Sequence, residues 1–426
     1  MPDPGHKAGR DAAPGATRTN GRALPGDAQG KPRARPHKGR KAPERGDPAR
    51  RDASRPDPVR PKQNRASQNH KDIRHPDARR NAARPKARHH QSGQWDSRRA
   101  YAAIDLGTNN CRLLIAKPAA DGFVVVDAFS RVVRLGEGLS QTGRMSSKAM
   151  DRAVAALSIC ADKLRRRHVA LSRSVATEAC RQAGNGAEFI ERVRRETGIV
   201  LDIISAEEEA RLAVLGCHLL LEPGDGPALI FDIGGGSTEL VLVDNRGESP
   251  RIIDWKSVPW GVVSLTESET FDPECPVERL AAYERMCARV RESFAGFTAR
   301  LPRLDSGEYR LLGTSGTVTT LASLHLQLPC YNRDMIDGLI VPAKSMRDIS
   351  RLLAGASPAE RRAMPCIGRE RADLVVAGCA ILECILDIWP AERLGVADRG
   401  IREGILRALM GPGEAQAAAV AEHPRP

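Results

Sequence analysis

Aromatic residues make up only 4% of the 426-residue sequence, so any core must be built from Leu, Val, Ile and Ala. No apolar run approaches a membrane span. The longest candidate, Leu374 to Trp389, is broken by Glu383 and Asp387. No apolar segment lies near the start, so no signal peptide is expected. The ten cysteines contain no C-x-x-C and no Cys/His grouping of zinc spacing. They read as reduced thiols of a cytoplasmic protein. No lysine stands where a Walker loop needs one, which excludes a P-loop.

The basic excess is confined to one end. Residues 1–100 hold 26 of the 66 Lys and Arg and 10 of the 53 Asp and Glu, leaving 40 bases against 43 acids in the rest. The same stretch holds 13 of the 29 prolines and almost no aliphatic clusters. Such a segment buries too little apolar surface to offset chain entropy, so residues 1–99 are expected to be a disordered basic tail. It reads either as a solvated extension or as an arm binding polyphosphate or nucleic acid loosely through charge. A transit peptide is disfavoured by its acids, prolines and length.

Order is expected from Tyr101. The pattern predicts an α/β chain in two halves, 100–220 and 221–411, with a flexible end at 412–426. Helices are expected over 146–167, 187–196, 276–301, 343–355, 370–389 and 401–410. Strands are expected at 199–204, 251–258, 309–312 and 393–396, among others. The halves share an internal repeat. Ile104-Asp-Leu-Gly-Thr-Asn-Asn-Cys-Arg-Leu-Leu-Ile-Ala116 aligns without a gap on Phe231-Asp-Ile-Gly-Gly-Gly-Ser-Thr-Glu-Leu-Val-Leu-Val243. Asp105 falls on Asp232 and Gly107 on Gly234. Two similar halves facing each other would set two glycine turns across one cleft.

Three strand-to-turn stretches then offer backbone donors to an anion: 105–112, 232–239 and 313–317. The third opens a helix, whose N-terminus also favours negative charge. Asp232 and Glu239 make the second turn awkward for a phosphate unless a divalent cation sits between them. Glu207, Glu208 and Glu209 begin another helix behind Ser205. Acids in a first turn complement the helix dipole, and one of the three is also a candidate general base for a hydrolytic water. Arg181, after a Thr177-Glu178 pair, reads either as a phosphate clamp or as a surface arginine; Arg131 and Arg134 carry the same two readings.

These residues resemble the exopolyphosphatase and guanosine pentaphosphate phosphohydrolase (Ppx/GppA) family of the actin and hexokinase ATPase superfamily, over about 100–410. The carriers are Ala-Ile-Asp105-Leu-Gly-Thr-Asn, Ala-Thr177-Glu-Ala-Cys-Arg181-Gln, Ser205-Ala-Glu-Glu-Glu209-Ala-Arg, Asp232-Ile-Gly-Gly-Gly-Ser-Thr-Glu239, Gly313-Thr-Ser-Gly-Thr317 and Gly400-Ile-Arg402-Glu403-Gly404. The resemblance implies a two-domain, duplicated ribonuclease H-like fold with an interdomain cleft. It implies metal-assisted hydrolysis of the terminal phosphoanhydride of polyphosphate, with Glu209 as base and Arg181 assisting. Asp232 and Glu239 would hold Mg2+ or another divalent cation, with Asp105 near the metal or its waters. Phosphates would meet Gly107, Thr108, Asn109 and Asn110, then Gly234, Gly235, Gly236, Ser237 and Thr238, then Gly313, Thr314, Ser315, Gly316 and Thr317.

Two departures bear on this. The first turn reads Thr108-Asn109-Asn110 where the family more often has Ser-Asn-Ser, a mild change for backbone donors. The helical C-terminal region of long members has no counterpart after Gly404, so a weaker grip on long polymers is expected. Alternatives within reach of the same residues are guanosine pentaphosphate 5′-phosphohydrolysis, a superfamily sugar or acetate kinase, and a non-catalytic polyanion binder. The Glu207–Glu209 run favours the hydrolase over the kinase. A homodimer is compatible with the sequence, which does not fix the assembly.

Overall fold

In the computed structural model, the described residues are 99–411 apart from 121, 248, 249, 306 and 307. The expectations for the basic tail and for the end at 412–426 lie outside them.

Two mixed sheets organise the chain. The first contains β1 (Ala100–Leu106), β2 (Asn110–Ala119), β3 (Gly122–Val132), β4 (Val169–Ala176) and β5 (Asp202–Ile203) in the order β3-β2-β1-β4-β5. The second contains β6 (Pro227–Ile233), β7 (Thr238–Asp244), β8 (Arg251–Val258), β9 (Arg310–Thr314), β10 (Ile340–Pro342) and β11 (Arg393–Ala397) in the order β10-β11-β9-β6-β7-β8. Each sheet is an antiparallel three-strand meander whose first strand pairs in parallel with the strand after a helical crossover. The order β3-β2-β1-β4 therefore repeats as β8-β7-β6-β9, and the sequence repeat is a structural duplication.

The duplication reaches past the hairpins. The ladder between β2 and β3 shifts register after Ile115, which faces Asp127. The ladder between β7 and β8 shifts after Leu242, which faces Asp254. Both positions keep the spacing that sets Asp105 on Asp232. A bulge kinks a strand and strengthens its twist, so both meanders bend at the same point.

Helices cover the sheets where apolar spacing allows. Ser147–Arg166 starts on Ser146, whose hydroxyl accepts from the Ala149 N–H at 3.2 Å. With Gly186–Thr197 it covers one face of the first sheet. The helices Pro276–Thr298, Gly316–His325, Ala343–Gly355 and Val375–Ile388 cover the second. Two more helices lie between the sheets. Ala206–Cys217 turns Ala210, Val214 and Cys217 to the second sheet and Leu212 and Ala213 to the first. Ile401–Met410 lies beside it, with Ile401, Ile405 and Leu406 against Ala103, Leu114 and Val175. The two pack backbone to backbone: a Cβ on Gly404 would collide with the Leu212 carbonyl, and one on Gly216 with that of Gly400. Glycine is required at both positions by that approach.

Three expectations shift. The last helix, counted with 221–411, packs on the first sheet, because its apolar stripe fits either half and only tertiary contact chooses. The strand expected over 199–204 keeps only Asp202–Ile203 in the ladder, since Ile199 and Leu201 turn into the core. The helix expected from 370 begins at Val375. Gly368, at φ 71°, instead opens a run of turns in which the Arg371 N–H donates to the Gly368 carbonyl and the Leu374 N–H to that of Arg371.

Candidate active site

The two hairpin turns are built alike. The Gly107 N–H donates to the Asn110 carbonyl at 2.9 Å, and the Gly234 N–H to the Ser237 carbonyl at 2.9 Å. They meet across the cleft between the sheets. A Cβ on Gly235 would stand 2.9 Å from Thr108 Cβ, and one on Gly236 would stand 2.7 Å from Thr108 Oγ1. The third turn comes from the end of β9, where Ser315 adopts φ 101°, a strained value for a residue with a side chain. Thr108 Oγ1, Asn109 Oδ1 and Ser315 Oγ are buried without hydrogen-bond partners among the described residues. All three residues line one cavity of about 120 Å³. Orphaned polar atoms are rare in folded proteins, and three around one cavity mark a ligand site.

Five carboxylates line the same cavity: Asp105, Glu178, Glu209, Asp232 and Glu239. Asp232 and Glu239 face each other across the β6–β7 ladder, which sets them on one face. Burial first, and then Asp232, pushes Glu239 up to about 7, against hydrogen bonds donated by Ser237 Oγ at 2.7 Å and Ser257 Oγ at 2.9 Å. Burial pushes Asp232 up to about 6. It also raises Asp105, opposed by Arg112 and Arg402. Glu209 is raised well above the usual carboxylate range by burial and then by Glu239, with Arg181 opposing. Ser205 explains the position of Glu209: its hydroxyl accepts from the Glu208 N–H at 3.1 Å and starts the helix. Glu208 turns away to Arg173 and Arg211.

Among the described residues no group of three or more His, Cys, Asp or Glu has the spacing of a metal cage. A Mg2+ ion asks for less, one or two carboxylates with waters and substrate phosphates completing its shell. Asp232 and Glu239 fit that donor set, and five acids against the guanidinium groups of Arg112, Arg181 and Arg371 leave a negative excess that a cation would relieve.

The sequence candidates divide. Gly107 to Asn110, Gly234 to Ser237 and Ser315 to Thr317 line the cavity. Thr238 does not: it is buried and gives its hydroxyl to the Trp260 carbonyl at 2.6 Å. Gly313 packs against the Phe231 ring, where a Cβ would stand 2.4 Å from Cζ. Thr314 donates to the Arg399 carbonyl at 2.7 Å and lines a neighbouring cavity instead. Arg181 sits behind Glu209, joined to Oε2 at 2.7 Å. Arg131 lies over the Phe129 ring, and Arg134 is exposed; neither lines the cleft cavities.

The neighbouring cavity, about 580 Å³, shares Asp105, Asp232, Ser315 and Gly316 with the first, and also Arg112 and Arg371. Arg112, Arg369, Arg371 and Arg402 line it, and among the described residues none of these guanidinium groups forms an ion pair or hydrogen bond. Sequence reasoning missed this set, although Arg112 was visible as the residue aligned with Glu239. It also missed Glu178, whose three-residue spacing to Arg181 on a helix is a pairing signal.

A profile of the Ppx/GppA phosphatase family matches residues 114–411. The chain belongs to that family. Among curated relatives, exopolyphosphatase 2 of Mycobacterium tuberculosis is 30% identical over 323 residues, 73% of this chain and 98% of that protein. The crystal structure of an exopolyphosphatase from Cytophaga hutchinsonii superposes with a TM-score of 0.65 at 25% identity, covering 73% of this chain and 98% of that one. The Ppx/GppA family member of Aquifex aeolicus superposes with a TM-score of 0.59 at 28% identity, covering 72% and 96%. The fold is accordingly the two-domain actin/hexokinase-like architecture of Ppx/GppA proteins, and the chain is a hydrolase of that family.

Proposed function

We propose that the cleft hydrolyses the terminal phosphoanhydride of inorganic polyphosphate and releases orthophosphate. The observation that carries this reading is the set of four unpaired arginines in a cavity continuous with the acid-lined one. A terminal phosphate lodged among the glycine turns leaves the rest of a polyanion to be held, and guanidinium groups that form no ion pair among the described residues suit that task. The names of the relatives agree with it.

In this reading the turn amides and the hydroxyls of Thr108 and Ser315 hold the terminal phosphoryl oxygens. Asp232 and Glu239, with Asp105 opposite, would hold Mg2+, which when bound supplies positive charge at the phosphoryl group. Glu209 accepts the proton of the attacking water; its raised basicity suits that role near neutral pH. Arg181 holds Glu209 in place. Cytoplasmic residence fits ten cysteines that all stand unpaired. The halves 100–220 and 221–411 serve as the two domains, with Ile401–Met410 lent back to the first. The basic tail gathers polyanions by charge alone.

The test is orthophosphate release by the purified full chain with Mg2+, on polyphosphate and on guanosine pentaphosphate side by side. Glu209→Gln is expected to lower turnover at least about 10³-fold while polyphosphate binding survives. Substantial turnover by that variant would refute the assignment of the base. Faster release from guanosine pentaphosphate would favour a second reading, removal of its 5′ γ-phosphate. One observation supports that reading: Tyr331, 43% exposed, lines the arginine cavity and offers a face for a base.

A further inference from the structure

Arg181 is held from two sides. Its Nη1 donates to Glu209 Oε2 at 2.7 Å and to the Ile204 carbonyl at 2.9 Å. Its Nε and Nη2 converge on Glu178 Oε2 at 3.0 and 2.6 Å. The other oxygen of Glu178 accepts from Gln182 Nε2 at 2.7 Å. Glu178 is itself firmly placed. It begins the helix Glu178–Gln182 directly after Thr177, whose N–H donates to the Leu106 carbonyl of β1 at 3.2 Å. Its methylenes reach the second glycine turn, where a Cβ on Gly236 would stand 3.0 Å from Glu178 Cγ. The side chains of Glu178, Arg181 and Glu209 are only 13%, 17% and 10% exposed, so the chain of contacts is sheltered from water.

A guanidinium left alone beside a carboxylate closes on it as a fork, two N–H groups on two oxygens. Here Glu178 takes the fork formed by Nε and Nη2, while Nη1 divides its two N–H groups between Glu209 and the Ile204 carbonyl, so Glu209 meets Arg181 through Nη1 alone. Glu209 Oε1 keeps its lone pairs without a hydrogen bond among the described residues. A general base needs such an oxygen to receive the proton from water.

We propose that Glu178 is a positioning residue for the general base: by occupying one side of the Arg181 guanidinium it keeps Arg181 from closing as a fork on Glu209, and so leaves one Glu209 oxygen free to take the proton. The inference rests on the reading of Glu209 as base. Glu178 also lines the cavity, and its proposed effect on the base runs through Arg181.

The test combines Glu178→Gln, Glu178→Asp, Arg181→Gln and the double variant Glu178→Gln/Arg181→Gln, each in the full chain with Mg2+ and a short polyphosphate. Glu178→Gln is expected to lower kcat about tenfold with KM within about twofold, the scale of losing a partner that orients a reactive group. Glu178→Asp, which keeps the charge, is expected to recover most of that loss. The double variant is expected to be no worse than Arg181→Gln alone, because the effect of Glu178 runs through that arginine. An unchanged kcat in Glu178→Gln, a rise confined to KM, or losses that multiply in the double variant would each overturn the proposal. A crystal structure of Glu178→Gln reads the same point without activity. Two Arg181 N–H groups on Glu209 are expected, and a retained single contact would sink the idea. Failure of the base assignment shows separately, as turnover by Glu209→Gln, and failure of the hydrolase reading as no orthophosphate release by the unmodified protein.

Discussion

The two glycine hairpins are one design with one decisive difference. In each, an aspartate stands one residue before the end of the first strand, a glycine N–H closes the turn on a carbonyl three residues on, and the second strand returns to face the aspartate. In β1–β2 the facing residue is Arg112; in β6–β7 it is Glu239. The first hairpin therefore sets an acid opposite a base in the ladder, and its guanidinium lines both cavities. The second sets two acids face to face, each pushed toward neutral pH by burial. Duplication supplied two walls, and in the proposed function a single position per wall would divide the labour between holding a cation and holding a polyanion.

Exchanging those positions should break the symmetry of effect most severely. Glu239→Gln is expected to reduce kcat about 10²- to 10³-fold, the range for losing one preorganised electrostatic group at a reacting centre. Arg112→Gln is expected to leave kcat within about twofold and to raise KM for long polyphosphate about tenfold, the worth of a charged hydrogen bond. Steady-state kinetics on polymers of defined length separates the two. Equal losses of kcat would mean that both hairpins serve the same end of the substrate.

The turns themselves differ in room. A Cβ on Gly107 meets nothing closer than 3.6 Å, whereas on Gly235 it would press on Thr108 Cβ at 2.9 Å and the Asn109 N at 3.2 Å. Gly235→Ala is expected to wedge the walls apart and lower kcat/KM about tenfold, since misplacing reacting groups by a fraction of an ångström is costly. Gly107→Ala is expected to stay within about twofold. A mild Gly235→Ala beside a damaging Gly107→Ala would reverse which turn is the rigid wall.

Much of this was legible because it is local. An aspartate–glycine turn between apolar runs reads as a hairpin wherever it stands, and matched spacing made the duplication visible. Ser205 before three glutamates marked the helix that carries Glu209. What stayed hidden comes from long range. Arg112, Arg402 and the pair Arg369 and Arg371 come from three separate segments and meet only in the folded chain. Thr238 and Gly313 sit inside binding motifs, yet one hydroxyl turns to a backbone carbonyl and one glycine makes room for Phe231, a use that no residue type announces. The last helix shows the same limit, because an apolar stripe does not say which sheet it covers.

The smallest effect tests how far the duplication extends. Asp127 on β3 and Asp254 on β8 stand at matching bulges, and each ties its outer strand to a helical segment. Asp127 accepts from Lys163 at 2.7 Å and Arg167 at 2.8 Å; Asp254 accepts from Arg300 at 2.7 Å. The Lys163 ammonium, joined by Arg167, pulls Asp127 down to about 2, and Arg300 lowers Asp254. A folded-state value below the unfolded one stabilises the protein above the unfolded value near 3.9, and that stabilisation fades as pH falls toward the folded value. Asp127 is the more sheltered, at 14% exposure against 29%. After discounting for solvent screening, Asp127→Asn is expected to remove about 1 kcal/mol at neutral pH and Asp254→Asn less than about 0.5 kcal/mol. Urea unfolding of both variants from neutral pH down to about 2 should show each deficit shrinking in acid, with the Asp127 deficit persisting to the lower pH. Deficits that are equal, or that grow in acid, would mean that the two matching bulges are not fastened by these ion pairs.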